Sequence, residues 1–380
     1  MRTAATEMFG VDLPLFAFSH CRDVVAAVTN AGGFGVLGAS GYSPGQLEEE
    51  LCWIDDHVGG RPYGLDVLIP ENVAAKGEGL STEQMQERVP AEHRAFVRAL
   101  LERHGVPSAD ERLSRVRLDE AAAEGLLDVA FRHPIKLIAS ALGVPPASML
   151  QRAKAEGVPV AALVGAREHA LRQVAAGVDI IVAQGTEAGG HCGEVSTMVL
   201  VPEVVRALRA AGSDVPVLAA GGIVTGEQMA AALALGAAGA WTGSVWLTTD
   251  EGETAPHTKQ KMVAATSRDT VRSKARTGKP ARQLRSAWHD AWEAPDSPGP
   301  LPMPFMPMLS SPAMDTIDRA ADRGNPGAQE LSTYFVGQGV GLMNAVRPAR
   351  EVVYEIANDL GAALERLEAI ARDDEIGASA

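Results

Sequence analysis

The sequence predicts an α/β protein, a (β/α)8 TIM barrel with an insertion after strand 3 and a smaller, mostly helical domain after strand 8. From residue 13 to about residue 250, short apolar runs alternate with amphipathic stretches of helical period, as in successive β-strand and α-helix units. There are eight such units, and glycine-rich segments follow several strands, where barrel enzymes carry their active sites. An open, doubly wound sheet is the alternative, because it also buries its strands on both faces.

The eight predicted strands are short apolar runs, each followed by a turn or a helical pattern. They cover residues 13–17, 34–37, 63–69, 135–139, 158–164, 180–183, 215–219 and 239–242. A count of eight favours closure into a barrel over an open sheet.

Two stretches depart from this alternation. Residues 71–118 are charged, mostly helical in pattern and too long for an ordinary connection, so we expect an insertion within a barrel that occupies residues 1–250. Residues 251–345 carry a proline-rich loop at 295–312 between helical segments and predict a smaller helical lid domain over the barrel mouth. In the final segment, 346–380, the amphipathic residues 349–372 predict a helix that packs back on the barrel.

Composition narrows the class of partner and the compartment. The net charge of -14 over 380 residues argues against binding to nucleic acid or an anionic membrane, so small molecules are the expected partners. Three cysteines without a CxxC pair, no long apolar run and no signal-peptide pattern together predict a cytoplasmic protein. The nine histidines form neither HxH nor HExxH, so no metal is expected. A homodimer is expected only from the frequency of two-fold oligomers.

A glycine-rich segment, Gln-Gly-Thr-Glu-Ala-Gly-Gly-His at residues 184–191, follows the sixth predicted strand. Its glycines allow positive φ angles and close approach of a ligand to the backbone. His191 is a candidate general base because imidazole titrates near neutral pH, and a surface histidine on a glycine-rich connection is the alternative. Cys192 as a nucleophile lacks an independent base partner in the sequence.

Two further strand ends carry small residues. Gly221 and Gly222 lie between the seventh strand and a helix, and Gly243 and Ser244 follow the eighth strand. Backbone N–H groups and the helix dipole at such junctions bind phosphate, and loops after strands 7 and 8 are the usual phosphate site of barrels. Packing is the alternative for either pair. No Walker A sequence is present, and the glycines at residues 32–38 lack dinucleotide-fingerprint spacing.

From about residue 8 to residue 350, these segments resemble the nitronate monooxygenase family, formerly called 2-nitropropane dioxygenases. The matching pieces are Asn-Ala-Gly-Gly-Phe-Gly at 30–35, residues 184–193, residues 217–223, residues 235–239 with Gly243 and Ser244, and Thr-Gly-Lys-Pro-Ala-Arg at 277–282. The resemblance implies an FMN-dependent barrel with His191 facing the substrate. The cofactor-binding residues it implies are Ala17, Phe18, Gln184, Gly189, Gly190, Gly221, Gly222, Gly243, Ser244, Gln338 and Gly339.

The activity implied by the resemblance is oxidation of alkyl nitronates or nitroalkanes with dioxygen, with His191 as base or hydrogen-bond donor. The Glu-Ala-Gly-Gly-His core, with Ser-Thr-Met at 196–198, is also similar to FMN-dependent enoyl-acyl-carrier-protein reductases. The alternative function is therefore reduction of an enoyl thioester or a quinone with NAD(P)H as donor. A third interpretation is a barrel that binds flavin or a phosphate ligand without catalysis.

Two positions depart from the family pattern at the expected substrate side. Members commonly have Ala-Pro-Met after the first strand, where this chain has Ala-Phe-Ser-His ending at His20, and a frequent asparagine of the third strand is Asp66. His20 is a candidate substrate contact, with packing as the alternative. A carboxylate at Asp66 would repel an anionic nitronate unless it is protonated or paired.

Two later segments each allow two interpretations. Residues 259–285 hold nine Lys and Arg against one Asp, which suits either the phosphates of NAD(P)H, CoA or a carrier arm, or a solvated helix face. Gln338 and Gly339 belong to a glycine-rich turn at 334–341 that is similar to a family segment closing over the flavin. A helix C-terminus would have the same composition.

Overall fold

A computed structural model of the protein describes residues 1–67, 82–107, 120–140 and 143–377. Eight parallel strands close into a barrel in the order β1-β2-β3-β4-β5-β6-β8-β9. They are β1 (Leu15–Ser19), β2 (Phe34–Gly38), β3 (Gly64–Val67), β4 (Leu137–Ser140), β5 (Val160–Val164), β6 (Ile180–Gln184), β8 (Val217–Ala220) and β9 (Gly239–Thr242). The predicted fold class is confirmed, and pairing of β9 with β1 at Leu15 and Ala240 excludes the open sheet. Residues 68 and 69 of the predicted third strand lie outside the described residues.

Side chains of the barrel strands alternate between two cores, as the two-residue period of a β-strand requires. Leu15, Leu37 and Leu65 face the surrounding helices, whereas Phe16 and Phe34 fill the barrel lumen. The two phenylalanine ring centroids lie 5.1 Å apart. The lumen is therefore packed, and a ligand has room only at an end of the barrel.

The helices surround the barrel and extend beyond it. They are α1 (Ala4–Phe9), α2 (Arg22–Asn30), α3 (Pro44–His57), α4 (Thr82–Glu87), α5 (Ala91–Arg103), α6 (Glu120–Ala130), α7 (Ala147–Glu156), α8 (Arg167–Ala176), α9 (Thr197–Ala210), α10 (Gly226–Ala234), α11 (Pro256–Val263), α12 (Ala287–Glu293), α13 (Phe305–Asp322), α14 (Pro326–Leu331) and α15 (Ala349–Gly377). Phe9 of α1 packs on Phe34 with a centroid distance of 4.7 Å and covers the amino end of the lumen. Within the described ranges, no helix combines the length and apolarity needed to cross a membrane.

A second hydrophobic core lies outside the barrel. It joins Val97 and Leu101 of α5, which belongs to the predicted insertion, to Trp288, Met306 and Ile317 from the region after residue 251. The remainder of the predicted insertion, at residues 71–81 and 108–118, lies outside the described residues. The long α15 packs on α10, where a Cβ added to Gly226 would come within 2.2 Å of the Ile356 carbonyl oxygen.

For residues 251–345 the structure adds one feature that was not predicted and corrects one expectation. This region contributes β10 (Thr270–Ser273) and β11 (Ala281–Leu284) to an antiparallel sheet that β7 (Gly190–His191) completes. Strands this short do not show the two-residue alternation of hydrophobic side chains in the sequence, so they were not predicted. The proline-rich loop was expected to reach residue 312, but α13 begins at Phe305. Pro307 is tolerated because the first turn of a helix needs no backbone donor.

Candidate active site

The carboxyl end of the barrel lumen is lined by Phe18, Asp66 and Gln184. Phe18 packs against the lumen core, and its centroid lies 6.4 Å from that of Trp241. Strand alternation brings Asp66 and Gln184 to the same inner face, because each follows an inward residue, Gly64 or Val182, by two positions. Three of the predicted site residues therefore meet at one end of the barrel.

Asp66 is a buried residue near the end of β3, with an exposed fraction of 5%. Burial raises its pKa from 3.8 to about 7. Its strand is held in register by the pairs Gly38 with Asp66 and Asp66 with Ala139. At neutral pH this group is divided between a hydrogen-bond-donating acid and a carboxylate.

The end of β1 has an aromatic wall. The Phe18 and His20 ring centroids lie 5.2 Å apart in an edge-to-face arrangement. His20 Nδ1 lies 2.8 Å from the Gly38 carbonyl oxygen, so Nδ1 carries the proton and donates it. The Ala17 methyl group packs in the outer core, which leaves only the Ala17 backbone on the lumen side.

The glycine turns after β8 and β9 lie side by side, because these two strands pair at Ala220 and Trp241. Gly221 and Gly222 have φ angles of 107° and 75°, a region that L side chains rarely adopt. A Cβ at Gly243 would meet only Phe18, at 3.9 Å, so the backbone there borders open space. Both predicted phosphate turns thus present backbone at one edge of the mouth.

The segment containing Gln338 and Gly339 lies on these turns. The Gly337 N–H donates to Ser244 Oγ at 2.8 Å, and the Gln338 N–H donates to the Glu187 carbonyl at 2.8 Å. A Cβ on Gly339 would lie 2.8 Å from the Gly222 carbonyl oxygen, so only glycine permits this approach. A cavity of about 320 Å³ borders this segment; Gly221, Gly222, Gln338 and Gly339 line it together with residues of α9 and α10, whereas Phe18, Asp66 and Gln184 do not.

Glu187 and Thr197 fix the glycine-rich loop, and the sequence did not indicate this pair. The Glu187 carboxylate accepts hydrogen bonds from the Thr197 N–H at 2.9 Å and from Thr197 Oγ1 at 2.9 Å. Thr197 is the first residue of α9, so the carboxylate also lies at the positive end of a helix dipole. The sequence shows only a glutamate ten residues before Thr197, and the missing side-chain cap at Ser196 is visible only in the structure.

His191 lies on β7 and pairs with Ala281 of β11. Its Nδ1 is 3.2 Å from the Pro280 carbonyl oxygen, which only accepts, so Nδ1 carries the proton and Nε2 carries the lone pair. Desolvation, together with the nearby charge of Lys279, lowers the pKa of His191, although the hydrogen bond to Pro280 opposes this shift. Neighbouring protein atoms thus desolvate part of the ring and favour the neutral imidazole at neutral pH, while the residue as a whole is exposed to solvent.

Residues 259–285 do not form one solvated helix face, because they are divided among α11, β10 and β11. Several Lys and Arg side chains in this range donate hydrogen bonds to backbone carbonyls of the protein. Arg282 Nε donates to the Thr186 carbonyl at 2.9 Å, and Lys261 Nζ donates to the Ser332 carbonyl at 2.7 Å. Lys274 and Lys279 remain exposed. Cys192 Sγ donates to the Thr186 carbonyl at 3.4 Å, beside the same loop.

A closed parallel barrel with a histidine, a buried carboxyl group and paired glycine turns at the carboxyl ends of its strands defines an enzyme of the (β/α)8 class. The family model described as nitronate monooxygenase matches residues 9–359. The chain therefore belongs to the nitronate monooxygenase family, and it is an oxidoreductase.

Relatives match over nearly their whole length. The protein Rv1533 of Mycobacterium tuberculosis, which carries the name of a monooxygenase, is 55% identical over 365 residues, covering 94% of this chain and 96% of the relative. A Staphylococcus aureus protein named as a nitronate monooxygenase is 28% identical over 371 residues, covering 93% of this chain and 96% of that protein.

Two solved structures are similar to this chain over nearly its whole length. Nitroalkane oxidase from Streptomyces ansochromogenes has a TM-score of 0.78 at 26% identity, covering 96% of this chain and 100% of that one. FabK from Thermotoga maritima has a TM-score of 0.69 at 25% identity, covering 97% of this chain and 99% of that one. The similarity includes the barrel and the region beyond it.

Proposed function

We propose that the protein is an FMN-dependent nitronate monooxygenase that oxidises alkyl nitronates and nitroalkanes with dioxygen. The observation that carries this proposal is the state of His191, a neutral and exposed imidazole with its lone pair on Nε2. It lies at the end of the loop that leaves barrel strand β6. The names of the similar proteins, a nitroalkane oxidase among them, support the same chemistry.

The mouth fits FMN. The positive φ angles of Gly221 and Gly222 and the open space beside Gly243 form a backbone cradle suited to a phosphate. Ser244 accepts from Gly337 and keeps its own hydroxyl proton free to donate. The remaining proposed contacts, toward the ring or over the cofactor, are the Ala17 backbone, Phe18, Gln184, Gly189, Gly190, Gln338 and Gly339. When bound, FMN supplies the two-electron acceptor that dioxygen reoxidises.

His191 acts as the base toward a nitroalkane. A nitroalkane is a carbon acid, and Nε2 accepts its α-proton while Nδ1 stays bonded to the Pro280 carbonyl. The lowered pKa keeps the imidazole in the accepting state at neutral pH. With a preformed nitronate no proton needs removal, and a hydrogen bond from His191 to the nitronate oxygen requires a protonated Nε2, which the lowered pKa disfavours.

Asp66 selects the charge of the substrate. In its acid form the carboxyl group donates a hydrogen bond to a nitro or nitronate oxygen, and in its ionised form it repels a nitronate. Because its pKa is about 7, both forms are available near neutral pH. We place His20 at the edge of the same pocket, where its ring packs on Phe18.

Oxygen consumption by the flavin-loaded protein tests this function. With a primary alkyl nitronate as the only reductant, we expect steady consumption of oxygen that saturates with nitronate. NADH or NADPH alone is expected to give none. Oxygen uptake that requires a nicotinamide, with no response to any nitronate, would reject the proposal.

Reduction of an enoyl thioester or a quinone by NAD(P)H is the second candidate function. Lys279 favours it, because this exposed cation lies close enough to His191 to lower the histidine pKa and is available to a donor's phosphates. The similarity to FabK agrees with a reductase. NADPH oxidation that starts only when an enoyl thioester or quinone is added would support this function over the first.

A further inference from the structure

Three side chains with metal-ligating atoms meet on the outside of the barrel. Glu48 and Cys52 lie one turn apart on α3, and His133 follows α6 shortly before β4 begins. One ligand atom from each lies within 4.8 Å of the others. The cluster is thus near the amino ends of the strands, whereas the active-site residues lie at the carboxyl ends.

His133 is arranged as a metal ligand. Its Nδ1 lies 2.7 Å from Asp55 Oδ2, so Nδ1 donates to the carboxylate and Nε2 is left to the cluster. Asp55 Oδ1 in turn accepts a hydrogen bond of 2.6 Å from the Tyr63 hydroxyl. A carboxylate behind an imidazole is the usual support of a metal-bound histidine, because it fixes the ring and raises its basicity.

The other nitrogen of this ring has no protein partner within hydrogen-bond distance. The His133 side chain is only 7% exposed, and Nε2 is buried without a hydrogen bond in the described part of the chain. It points toward Glu48 Oε1 at 3.6 Å. Such a distance suits two atoms that share a tetrahedral metal ion, whose ligand atoms lie about 3.3 to 3.8 Å apart.

Glu48 and Cys52 complete the donor set. Arg132 bonds Glu48 Oε2, which leaves Oε1 turned toward the cluster. Cys52 is exposed, so a water molecule can reach the fourth position. Thiolate, imidazole and carboxylate together are ligands typical of zinc.

We propose that Glu48, Cys52 and His133 bind a Zn²⁺ ion, with water as the fourth ligand. On binding, the Cys52 thiol loses its proton to solvent and the sulfur bonds to the metal, with no change of oxidation state. The ion ties α3 to the turn between α6 and β4, where the chain returns from the predicted insertion. From the sequence no metal was expected, and Glu48 and Cys52 are remote from His133 in the chain.

Zinc binding to the flavin-loaded full chain tests the proposal. After dialysis against a chelator, titration calorimetry is expected to show one Zn²⁺ per chain, with proton release at neutral pH. Cobalt is a second probe, because a cysteine-bound Co²⁺ absorbs through charge transfer from sulfur. Cys52→Ser is expected to abolish that absorption and to weaken Zn²⁺ binding by about 100-fold or more, and Glu48→Gln to weaken it by about 10-fold to 100-fold.

The matched control is Glu49→Gln, which removes a neighbouring exposed carboxylate from the same helix. It is expected to bind Zn²⁺ like the unaltered protein. Cys52 is exposed, so its replacement is not expected to impair folding, and circular dichroism checks this. No stoichiometric Zn²⁺ binding, or binding that Cys52→Ser leaves unchanged, overturns the proposal and leaves His133 as a hydrogen-bond donor to Asp55 alone.

Discussion

His191 and His133 show how the partner of one ring nitrogen sets the chemistry of the other. At the mouth, His191 Nδ1 donates to a backbone carbonyl, and desolvation with a neighbouring lysine lowers its pKa. On the outer surface, His133 Nδ1 donates to the Asp55 carboxylate. The first arrangement favours a neutral imidazole, which suits the role of a base that we propose for His191. The second favours an electron-rich ring that holds a cation in place.

Replacement of His191 is expected to give the largest effect and separates its two possible roles. His191→Asn should retain FMN but lower kcat/KM for a neutral nitroalkane by about 10²-fold to 10⁴-fold, because the proton acceptor is lost. For a preformed nitronate the loss should be smaller, since only a hydrogen bond changes. Steady-state kinetics with both forms of one substrate measure this. Equal losses would assign His191 to hydrogen bonding alone.

Asp66 gives the next largest effect, through pH. Its pKa of about 7 means that the acid form, which we propose binds an anionic nitronate, is lost as pH rises through that value. The kcat/KM for a preformed nitronate should fall about tenfold per pH unit above about pH 7, and Asp66→Asn should remove this limb. Because the folded-state pKa is raised, the group also costs stability as pH rises from about 4 to 7, so Asp66→Asn should raise the melting temperature at pH 8. An unchanged pH profile would place Asp66 away from the substrate.

Tyr63→Phe tests the hydrogen-bonded arrangement around His133, the second histidine of the comparison. The Tyr63 hydroxyl is buried and donates to Asp55, which holds His133. Its loss should lower the free energy of unfolding by about 1.5 to 3 kcal/mol, the cost of a hydrogen bond to a charged group. Denaturant unfolding measures this, while turnover per bound flavin should stay unchanged. A fall in turnover would mean that the outer cluster and the mouth are coupled.

Ser244→Ala is expected to have the smallest effect. The serine hydroxyl accepts from the Gly337 N–H and is proposed to donate to the FMN phosphate. Its removal should raise the Kd for FMN by roughly 2-fold to 10-fold, as expected for one hydrogen bond. Fluorescence titration of the flavin-free chain with FMN measures the change. Unaltered FMN affinity would mean that Ser244 supports only the segment at residues 334–341.

The features that the sequence predicted are those set by short-range patterns. Eight apolar runs gave eight barrel strands, although β1 begins two residues later than expected, and the glycine pairs at 221–222 and 243–244 lie where two strand ends predict them. Strand alternation explains why Asp66 and Gln184 share one face. These strand and glycine patterns are set by residues close together in the sequence, so a single sequence is enough to recognise them.

The features that the sequence missed depend on contacts between residues that are not neighbours in one helix or strand. Glu187 reaches Thr197 across a loop, Arg282 reaches the Thr186 carbonyl, and His133 meets Glu48 only after the barrel closes. The sheet carrying His191 uses strands of two to four residues, too short to show a period. No local propensity encodes such contacts, since tertiary packing decides them.

Anaerobic mixing with a nitronate tests the central claim most directly. The yellow, flavin-loaded protein is mixed with a primary alkyl nitronate, and separately with NADH and NADPH, while absorption of the oxidised flavin is followed. If His191 and Asp66 deliver nitronates to FMN, the nitronate bleaches the flavin in the absence of any nicotinamide, and admission of dioxygen restores the colour. Bleaching by NADH or NADPH alone, with none by the nitronate, would contradict the proposed function.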